Sequence, residues 1–280
     1  MQHMEYILVT GARGGMGKAV VRALAARGFG VLALDRTPAA DTDDTAETKM
    51  TSGSGIVIPL VCDVTSEESV LSAAEKVKET TDRLFAVLHY AGMYLLDSLV
   101  EMDTPTFEKI FRINVFGAYL IDRVFLPFLH TGSRILITTS ELAPLDPLPF
   151  TGIYGVTKTA LDRYAFALAM ELQLLGITVS VLRAGAVRTG MLGASTDALS
   201  SFCEGTKLYT CNAARFRRIV DRVETRCVPP EKVAEKTVAI LGKRRPAFAY
   251  SLNRNPWLRL LHLLPDHLQL SVVRRVLKAD

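Results

Sequence analysis

Tyr154 and Lys158 are the two residues of this chain whose types and spacing point most directly to chemistry. They stand four positions apart in a segment with a helical pattern, so both side chains project from one helix face. A free phenol has a pKa of about 10 and is a poor proton donor or acceptor at neutral pH. A nearby ammonium stabilises the phenolate and lowers that pKa. The pair therefore predicts acid–base chemistry by a tyrosine beside a fixed cation.

Two further residues complete a candidate catalytic set. Ser140 ends an apolar, strand-like run, and its hydroxyl can hydrogen-bond a carbonyl or alcohol oxygen as charge develops on it. Asn114 lies in a predicted helix, and its amide can hold a water molecule next to Lys158. Each residue alone has an ordinary interpretation, a turn cap for the serine and a solvated side chain for the asparagine. Their coincidence behind the glycine-rich turn described next favours catalysis.

A glycine-rich turn, Thr10–Gly17, follows the apolar run Tyr6–Val9 and precedes a helical pattern. Such a turn lets the backbone approach a pyrophosphate, and the helix N-terminus supplies unpaired N–H groups and a partial positive charge. The turn therefore predicts a dinucleotide site, in which Lys158 can also hold the nicotinamide ribose hydroxyls. The predicted contacts within the turn are Gly11, Arg13, Gly15, Met16 and Gly17.

Asp35 follows the second predicted strand, 24 residues after Gly11, which is close to the spacing expected for a ribose-binding acid. A carboxylate there accepts hydrogen bonds from the adenosine ribose and repels the 2′-phosphate of NADP, so NAD is the predicted cofactor. Arg13 and Arg36 keep NADP open as the alternative, because either side chain can reach a 2′-phosphate.

Two dipeptides at later strand ends are also predicted to contact the cofactor. Asp63 can accept from the adenine amino group while Val64 packs on the base, although a turn or helix-cap role for Asp63 is equally consistent with the sequence. Ala91 and Gly92 offer a tight turn where backbone can lie against the cofactor.

Short, continuously apolar runs alternate with helical patterns along the chain, which predicts right-handed βαβ crossovers and a doubly wound parallel α/β sheet with helices on both faces. Ligands are then expected outside the carboxyl ends of the strands. The predicted helices lie near 15–28, 66–80, 105–129, 152–175, 206–223 and 230–242. The predicted strands are Tyr6–Val9, Val31–Leu34, Ile56–Val61, Phe85–His89, Arg134–Thr138, Thr178–Leu182 and Ala247–Ser251.

The length of 280 residues and a hydrophobic content of 49% allow one large core. We predict one dinucleotide-binding catalytic domain over 1–255, with a substrate lid at about 186–230 and a helical tail at 256–280. The polar stretch 37–55 is predicted to be a surface loop. No apolar run reaches the roughly 18–20 residues of a bilayer span, and the chain's first residues lead directly into a strand. Four cysteines without metal-type spacing predict reduced thiols in a cytoplasmic protein and no metal site.

The net charge of +4 is unevenly placed, because residues 243–280 hold eight Lys or Arg and two Asp, a local net charge of +6. Basic patches interleaved with aromatics are not evident, so no nucleic-acid partner is predicted. The tail combines Trp257 and many leucines with arginines. It is predicted to pack over the substrate mouth or a subunit interface, since apolar helical stripes are usually core. Peripheral membrane contact is the alternative.

At these residues the chain resembles the short-chain dehydrogenase/reductase family, over about residues 5 to 250. Thr10–Gly17 fits its TGxxxGxG turn, and the four candidate catalytic residues fit its asparagine, serine, tyrosine and lysine positions. The resemblance implies a seven-stranded Rossmann-type fold and hydride transfer between a nicotinamide and a carbonyl/alcohol pair. It also implies a homodimer or homotetramer built through the 105–129 and 152–175 helices. The cofactor contacts carried over from it are Gly185, Val187 and Thr189.

The chain departs from the family pattern at three places. Tyr90 replaces the asparagine of the family's Asn-Ala-Gly after the fourth strand, and Ala184 replaces the proline of the usual Pro-Gly after the sixth strand. Ser140 precedes Tyr154 by 14 positions, one more than expected, so the segment Pro144–Pro149 is predicted to bulge. Thr139 is the alternative hydroxyl.

The long 186–230 segment and the basic, leucine-rich C-terminus resemble the hydroxysteroid and retinol dehydrogenase branch. This predicts a bulky apolar secondary alcohol or ketone as substrate. Alternatives are a reductase of a small polar carbonyl, a catalytically weak NAD(P)-sensing protein and a membrane-surface scaffold. The lid residues either line an apolar pocket or simply close over ordinary core. They are Met191, Leu192, Leu199, Phe202, Leu208 and Tyr209.

Overall fold

Seven parallel strands form the centre of the protein, in the order β3-β2-β1-β4-β5-β6-β7. The structure is a computed structural model that describes residues 4–38, 55–189, 199–224 and 226–278. The prediction of a Rossmann-type doubly wound sheet is confirmed. The strands are β1 Tyr6–Thr10, β2 Gly30–Asp35, β3 Ile56–Val61, β4 Ala86–His89, β5 Arg134–Ser140, β6 Thr178–Ala184 and β7 Ala249–Leu252.

The burial of the strands explains their continuous apolar sequences. All four residues of β4 and six of the seven residues of β5 are buried, because helices cover both faces of the sheet. The edge strands differ. In β3 only Val57 is buried, and Pro59 is tolerated there because an edge strand pairs on one side only.

Helices pack on both faces of the sheet and create two apolar layers. Side chains of α1 and α8 pack with one face, and side chains of α2, α4 and α5 pack with the other. The helices are α1 Gly15–Ala25, α2 Glu67–Thr80, α3 Thr104–Phe111, α4 Gly117–Phe125, α5 Gly152–Leu172, α6 over 199–205 in its described part, α7 Thr210–Glu224, α8 Pro230–Leu241, α9 Pro256–His262 and α10 Asp266–Leu277.

The predicted helix over 105–129 is interrupted. A π-helical turn, Arg112–Phe116, separates α3 from α4, and a short 3-10 turn follows α4. The π turn contains Asn114 and is followed by Gly117, where a Cβ would lie 2.8 Å from a methyl carbon of Val64. Widened turns of this kind occur often at functional sites, and this one places Asn114 in the buried interior.

Two internal predicted segments lie partly outside the described residues. They are the 37–55 loop, of which residues 39–54 are outside, and the lid, of which residues 190–198, with Met191 and Leu192, and residue 225 are outside. The predicted helix 206–223 begins at Thr210, after a separate helix, α6. The tail forms the predicted helical extension, as the helices α9 and α10. The division of the chain into domain, lid and tail stays a prediction.

Candidate functional site

A cleft of about 850 Å³ opens at the carboxyl ends of β1 and β4, where the strand order reverses. This is the place where doubly wound sheets bind ligands. The wall of the cleft contains many residues that the sequence singled out. They are Gly11, Arg13, Asp35, Arg36, Asp63, Val64, Ala91 and Gly92.

The glycine turn leaves no room for side chains. Gly11 has a φ of +63°, and a Cβ on it would lie 2.5 Å from the backbone nitrogen of Ala91. A Cβ on Gly15 would lie 2.6 Å from the Cβ of Thr189, so Thr189 covers the start of α1. Because the backbone is bare where α1 begins, a pyrophosphate can approach its N–H groups directly. The residues present therefore fit a dinucleotide.

Asp35 is fixed at the end of β2 by backbone groups. Its Oδ2 accepts a hydrogen bond from the Arg13 N–H at 3.0 Å, and its Oδ1 accepts one from the Thr37 N–H at 3.2 Å. The carboxylate therefore stands at the rim of the cleft, where the ribose-binding acid was predicted. Arg36 is exposed next to it.

Asp63 has a local role in the structure. Its Oδ1 accepts from the backbone N–H and the hydroxyl of Thr65, at 2.8 and 2.7 Å. This is the turn role that the sequence left open, although Asp63 also lines the cleft. Val64 lies beside it on the wall of the cleft.

Tyr154 and Lys158 lie on the first two turns of α5, at the inner end of the cleft. The Lys158 Nζ donates to the backbone oxygen of Thr138 at 3.2 Å and lies 5.7 Å from the centre of the Tyr154 ring. A Cβ on Gly92 would lie 3.5 Å from the Lys158 Nζ, so the lysine lies close to this part of the cleft wall. The hydroxyl of Ser140 is within hydrogen-bonding reach of the Tyr154 phenol.

The ionisation of this pair differs from the expectation. Burial raises the pKa of Tyr154, with smaller contributions in the same direction from Tyr94 and Glu141, while the hydrogen bond with Ser140 opposes them. Burial also lowers the pKa of Lys158 to about 8. The sequence predicted a lowered phenol pKa because it showed the cation but not the desolvation of both groups. Tyr154 is thus a protonated phenol at neutral pH.

Asn114 joins the π turn to the neighbouring segments. Its Oδ1 accepts from the Met93 N–H at 2.7 Å, and its Nδ2 donates to the Met93 oxygen at 2.9 Å and to the Thr157 Oγ1 at 3.0 Å. The Thr157 hydroxyl in turn donates to the backbone oxygen of Tyr154 at 2.8 Å. Both amide protons are therefore used structurally, and Oδ1 keeps one lone pair on the side of Gly92.

The structure shows where the alternative hydroxyl and the residues at two of the departures from the family pattern lie. The alternative hydroxyl, Thr139, points away from Tyr154 and donates to the Oδ1 of Asp162 at 3.3 Å. Tyr90 is buried on the opposite side of β4, where its hydroxyl hydrogen-bonds Thr237 of α8. The segment between β5 and α5 has Phe150 in the left-handed region, with a φ of 62°.

Beyond β6, two of the carried-over residues are held by neighbouring strands. The Gly185 N–H donates to the Leu252 oxygen at 2.9 Å, and Val187 forms a parallel bridge with Val228. The Asn253 Nδ2 donates to the Ala186 oxygen at 2.9 Å and so holds the first residue of the predicted lid. Val187 is buried, which places its side chain in the core.

The described lid residues pack into a separate apolar cluster. Leu199 and Phe202 are buried against Phe150, whereas Leu208 is mostly exposed. Tyr94 links this cluster to the site, because its ring packs on the cluster and lies 4.8 Å from the ring of Tyr154. The cluster consists of Leu96, Phe150, Leu199, Phe202, Ala213 and Phe216, with Tyr94, Cys203, Tyr209 and Leu277 packed against it.

Three residues near the site were not identified from the sequence. They are Tyr94, Thr157 and the buried Glu141, whose Oε2 accepts from the Asn255 N–H at 2.6 Å. Burial raises the pKa of Glu141, although that hydrogen bond and the charge of Arg254 oppose the rise. The sequence offered one signal for Glu141, which is that a charged residue directly follows an apolar, strand-like run. Within the described ranges, no group of three His, Cys, Asp or Glu side chains is arranged to hold a metal ion.

The parallel sheet, the bare glycine turn and the Ser-Tyr-Lys set at the end of one cleft define a Rossmann-type protein built for dinucleotide-dependent chemistry. The model of the short chain dehydrogenase family matches residues 5–200. The chain therefore belongs to the short-chain dehydrogenase family and is an NAD(P)-dependent oxidoreductase of that family.

Two curated relatives align with most of the chain. An uncharacterized oxidoreductase of Escherichia coli, YbbO, is 29% identical over 274 residues, which are 96% of this chain and 93% of the relative. The 3-ketodihydrosphingosine reductase of Bacteroides thetaiotaomicron is 25% identical over 245 residues, covering 87% of this chain and 86% of the relative.

Solved structures of similar proteins share the fold. A short chain dehydrogenase from Burkholderia cenocepacia in complex with NADP has a TM-score of 0.70 and 21% identity, and covers 100% of both chains. A short chain dehydrogenase/reductase from Burkholderia phymatum in complex with NAD has a TM-score of 0.69 and 22% identity, covering 88% of each chain. Similar folds thus bind either cofactor.

Proposed function

We propose that this oxidoreductase prefers NAD and interconverts a secondary alcohol and a ketone on a bulky apolar, hydroxysteroid-like substrate. The observation that carries the chemistry is the Tyr154 phenol, within reach of the Ser140 hydroxyl and next to the Lys158 ammonium, where the cleft ends at Gly92. The NAD preference rests on Asp35. The substrate class rests on the apolar cluster beside Tyr154.

A bound nicotinamide supplies hydride chemistry at this end of the cleft. The Ser140 hydroxyl donates a hydrogen bond to the substrate oxygen and orients it. The same hydrogen bond stabilises the negative charge that develops on that oxygen. In reduction Tyr154 donates its phenolic proton to that oxygen, and in oxidation the tyrosine takes the proton back. The raised pKa keeps this proton in place at neutral pH, which suits the donor role.

Lys158 and Asn114 support the proton transfer. The Lys158 ammonium stabilises the phenolate that forms when Tyr154 gives up its proton, and it binds ribose hydroxyls. A Cβ on Gly92 would lie 3.4 Å from the Asn114 Oδ1 and 3.5 Å from the Lys158 Nζ, so both atoms face the space next to Gly92. We assign the remaining lone pair of Oδ1 to a water that passes protons to Lys158.

The pKa of Lys158 leads to a pH prediction. Because the lysine is charged below about pH 8 and Tyr154 stays protonated to higher pH, kcat/KM for ketone reduction should be level at neutral pH and fall as the pH rises through about 8. In Lys158→Arg the cation persists at all accessible pH, so the fall should move to higher pH even if the rate is lower. A fall at the same pH in both enzymes would contradict the assignment to Lys158.

Asp35 leads to a prediction about cofactor choice. Its carboxylate sits beside the exposed Arg36 and repels a 2′-phosphate, so Asp35→Asn should raise the NADPH-to-NADH ratio of kcat/KM by about tenfold or more, the effect of roughly 1.4 kcal/mol. The asparagine keeps acceptor capacity for the Arg13 N–H. Asp63→Asn, in the same cleft, is the matched control and should leave the ratio within about twofold. An unchanged ratio in Asp35→Asn would remove the basis for NAD preference.

The substrate proposal depends on what surrounds Tyr154. Tyr94 joins the phenol to an apolar cluster that includes Phe150 and Phe202, so the protein on this side of the phenol is apolar. One relative is named as a reductase of a keto compound, 3-ketodihydrosphingosine. The burial of Leu199 and Phe202 also agrees with the simpler interpretation, in which the lid closes over its own core.

A panel of keto-steroids, other bulky ketones and small polar carbonyls, assayed with NADH and NADPH, tests the substrate class. We expect kcat/KM to favour the bulky apolar members. Preference for the small polar carbonyls would replace the proposal with its first alternative. Cofactor binding without turnover of any member would favour a nucleotide-sensing protein, provided that alcohol oxidation is also absent.

We further propose the assembly expected from the family, a homodimer or homotetramer formed through α3, α4 and α5. Support comes from large apolar side chains exposed on these helices, including Phe107, Tyr119, Phe166 and Met170. Residues 1–255 would act as one catalytic domain, since β7 completes the same sheet as β1. A cytoplasmic location is part of the proposal and is supported by the free thiols of Cys62, Cys203 and Cys227 among the described residues.

A further inference from the structure

The tail helices α9 and α10 are apolar on two sides. Their inward side holds partly buried residues, among them Leu258, Leu261 and Leu277. On the outward side, Trp257, Leu263 and Leu270 are 68%, 77% and 71% exposed. A surface helix normally keeps its outer side polar. Packing on the protein therefore explains only one of the two apolar sides.

Several contacts fix the tail to the segments around the site. The Asn255 N–H donates to the Glu141 Oε2 at 2.6 Å, and Glu141 directly follows Ser140 in the sequence. The Asp146 Oδ2 binds the His262 Nδ1 and the Gln269 Nε2, each at 2.8 Å. At the far end, Leu277 packs on the cluster that Tyr94 joins to Tyr154. The outward apolar side therefore has a fixed orientation relative to the segments around Tyr154.

The charge of the tail separates two possible occupants of this side. The tail, residues 256–280, holds four Lys or Arg and two Asp, so two copies of the tail facing each other would each bring a net charge of +2. That arrangement is repulsive, whereas an anionic bilayer surface is attracted. Helices that bind in the interfacial layer of a membrane also combine exposed tryptophan and leucine with flanking arginine.

We infer that α9 and α10 form a docking platform for the surface of an anionic lipid bilayer. Trp257, Leu260 and Leu263 enter the interfacial layer, and Arg259, Arg274 and Arg275 face the headgroups. The attachment is peripheral, and no described helix is both long and apolar enough to cross a bilayer. The platform holds the mouth next to Tyr94 close to the lipid, and it does not depend on which substrate the enzyme uses.

Trp257 is the chain's single tryptophan and reports directly on this surface. The full-length protein is mixed with vesicles of phosphatidylcholine, with and without phosphatidylglycerol. On the anionic vesicles we expect cosedimentation, a blue shift of Trp257 emission and quenching by bromine-labelled acyl chains. Binding should weaken as salt is added, because exposed charges are screened.

Variants on the tail and elsewhere separate docking from general stickiness. Leu260→Glu should weaken vesicle binding about tenfold or more, since one leucine no longer leaves water. The double change Arg274→Glu and Arg275→Glu should cost at least about tenfold on anionic vesicles only. Leu71→Glu is the matched control and should bind like the parent. Leu71 is an exposed leucine of α2, which follows the edge strand β3, whereas the tail follows β7 at the opposite edge of the sheet.

Two results would overturn the inference. One is Trp257 emission that anionic vesicles neither shift nor quench, with the protein folded by circular dichroism. The other is burial of Trp257 without lipid as the protein concentration rises, with an assembly in sedimentation that Leu260→Glu breaks. The second result would make the platform an interface between two copies of the chain.

Discussion

Replacing Tyr154 by phenylalanine should lower kcat/KM by about 10²–10⁴-fold in either reaction direction, the usual contribution of a positioned general acid or base. The ring keeps its contact with Tyr94, 4.8 Å between ring centres, and only the hydroxyl near Ser140 is lost. The loss should therefore appear in kcat. Steady-state kinetics with NADH and the best ketone of the panel measure it.

Tyr119→Phe is the matched control, because Tyr119 is an exposed tyrosine on α4 and loses the same single hydroxyl. It should retain parental kinetics. NADH binding by Tyr154→Phe, followed by cofactor fluorescence, should stay within a few-fold, since Lys158 and the glycine turn are unchanged. Turnover within about tenfold of the parent would mean that another group supplies the proton.

The second large effect concerns stability, at a buried ion pair that positions α5. Asp162 lies one turn beyond Lys158 and is fully buried. Arg183 of β6 donates to both of its oxygens, from Nε at 2.9 Å and from a terminal nitrogen at 2.7 Å. Burial alone would raise the pKa of Asp162, but the hydrogen bonds and charge of Arg183 lower it on balance. The pair thus holds α5, and with it Tyr154, against the sheet.

We expect Arg183→Met to lower the free energy of unfolding by about 3–5 kcal/mol, because it leaves the Asp162 carboxylate buried without its main partner. Arg163 offers a matched comparison, since it contacts the same carboxylate at 3.2 Å from a side chain that is 64% exposed, against 14% for Arg183. Arg163→Met should cost only about 0.5 kcal/mol. Urea denaturation of the three proteins measures both values.

The lowered pKa of Asp162 adds a pH signature to this comparison. A carboxyl with a lowered pKa in the folded state contributes stability above its ordinary pKa, and that contribution is lost as the pH falls through the folded value. The difference in stability between the parent and Arg183→Met should therefore shrink on acidification. Equal costs for the two arginine variants at neutral pH would contradict the role of burial.

The sequence by itself determined the class of fold, because the apolar runs and helical patterns between them are local signals of a parallel sheet covered on both faces. All seven strands were located, and β1 and β3 begin at the predicted residues Tyr6 and Ile56. The glycine turn and the Tyr154–Lys158 spacing are also local. Their chemistry could be read before any contact was known.

Tertiary structure alone decided properties that depend on packing between distant segments. The raised pKa of Tyr154 follows from burial, with smaller contributions in the same direction from Tyr94 and Glu141, and these effects outweigh the expected effect of Lys158. The directions of the Ser140 and Thr139 side chains follow from strand alternation, which turns Thr139 toward Asp162. Desolvation and strand direction are properties of the assembled sheet, and no short sequence window contains them.

The tail shows the same division. Its sequence predicted an apolar, basic helical segment but gave no means of separating side chains that pack from side chains that stay in water. The structure divided them, with Leu277 packed against the apolar cluster that contains Phe150 and Phe202, and with Trp257 left exposed. Which side of a short helix is covered depends on partners such as Glu141 and Asp146, more than a hundred residues away in the chain, and only the folded protein brings those partners together.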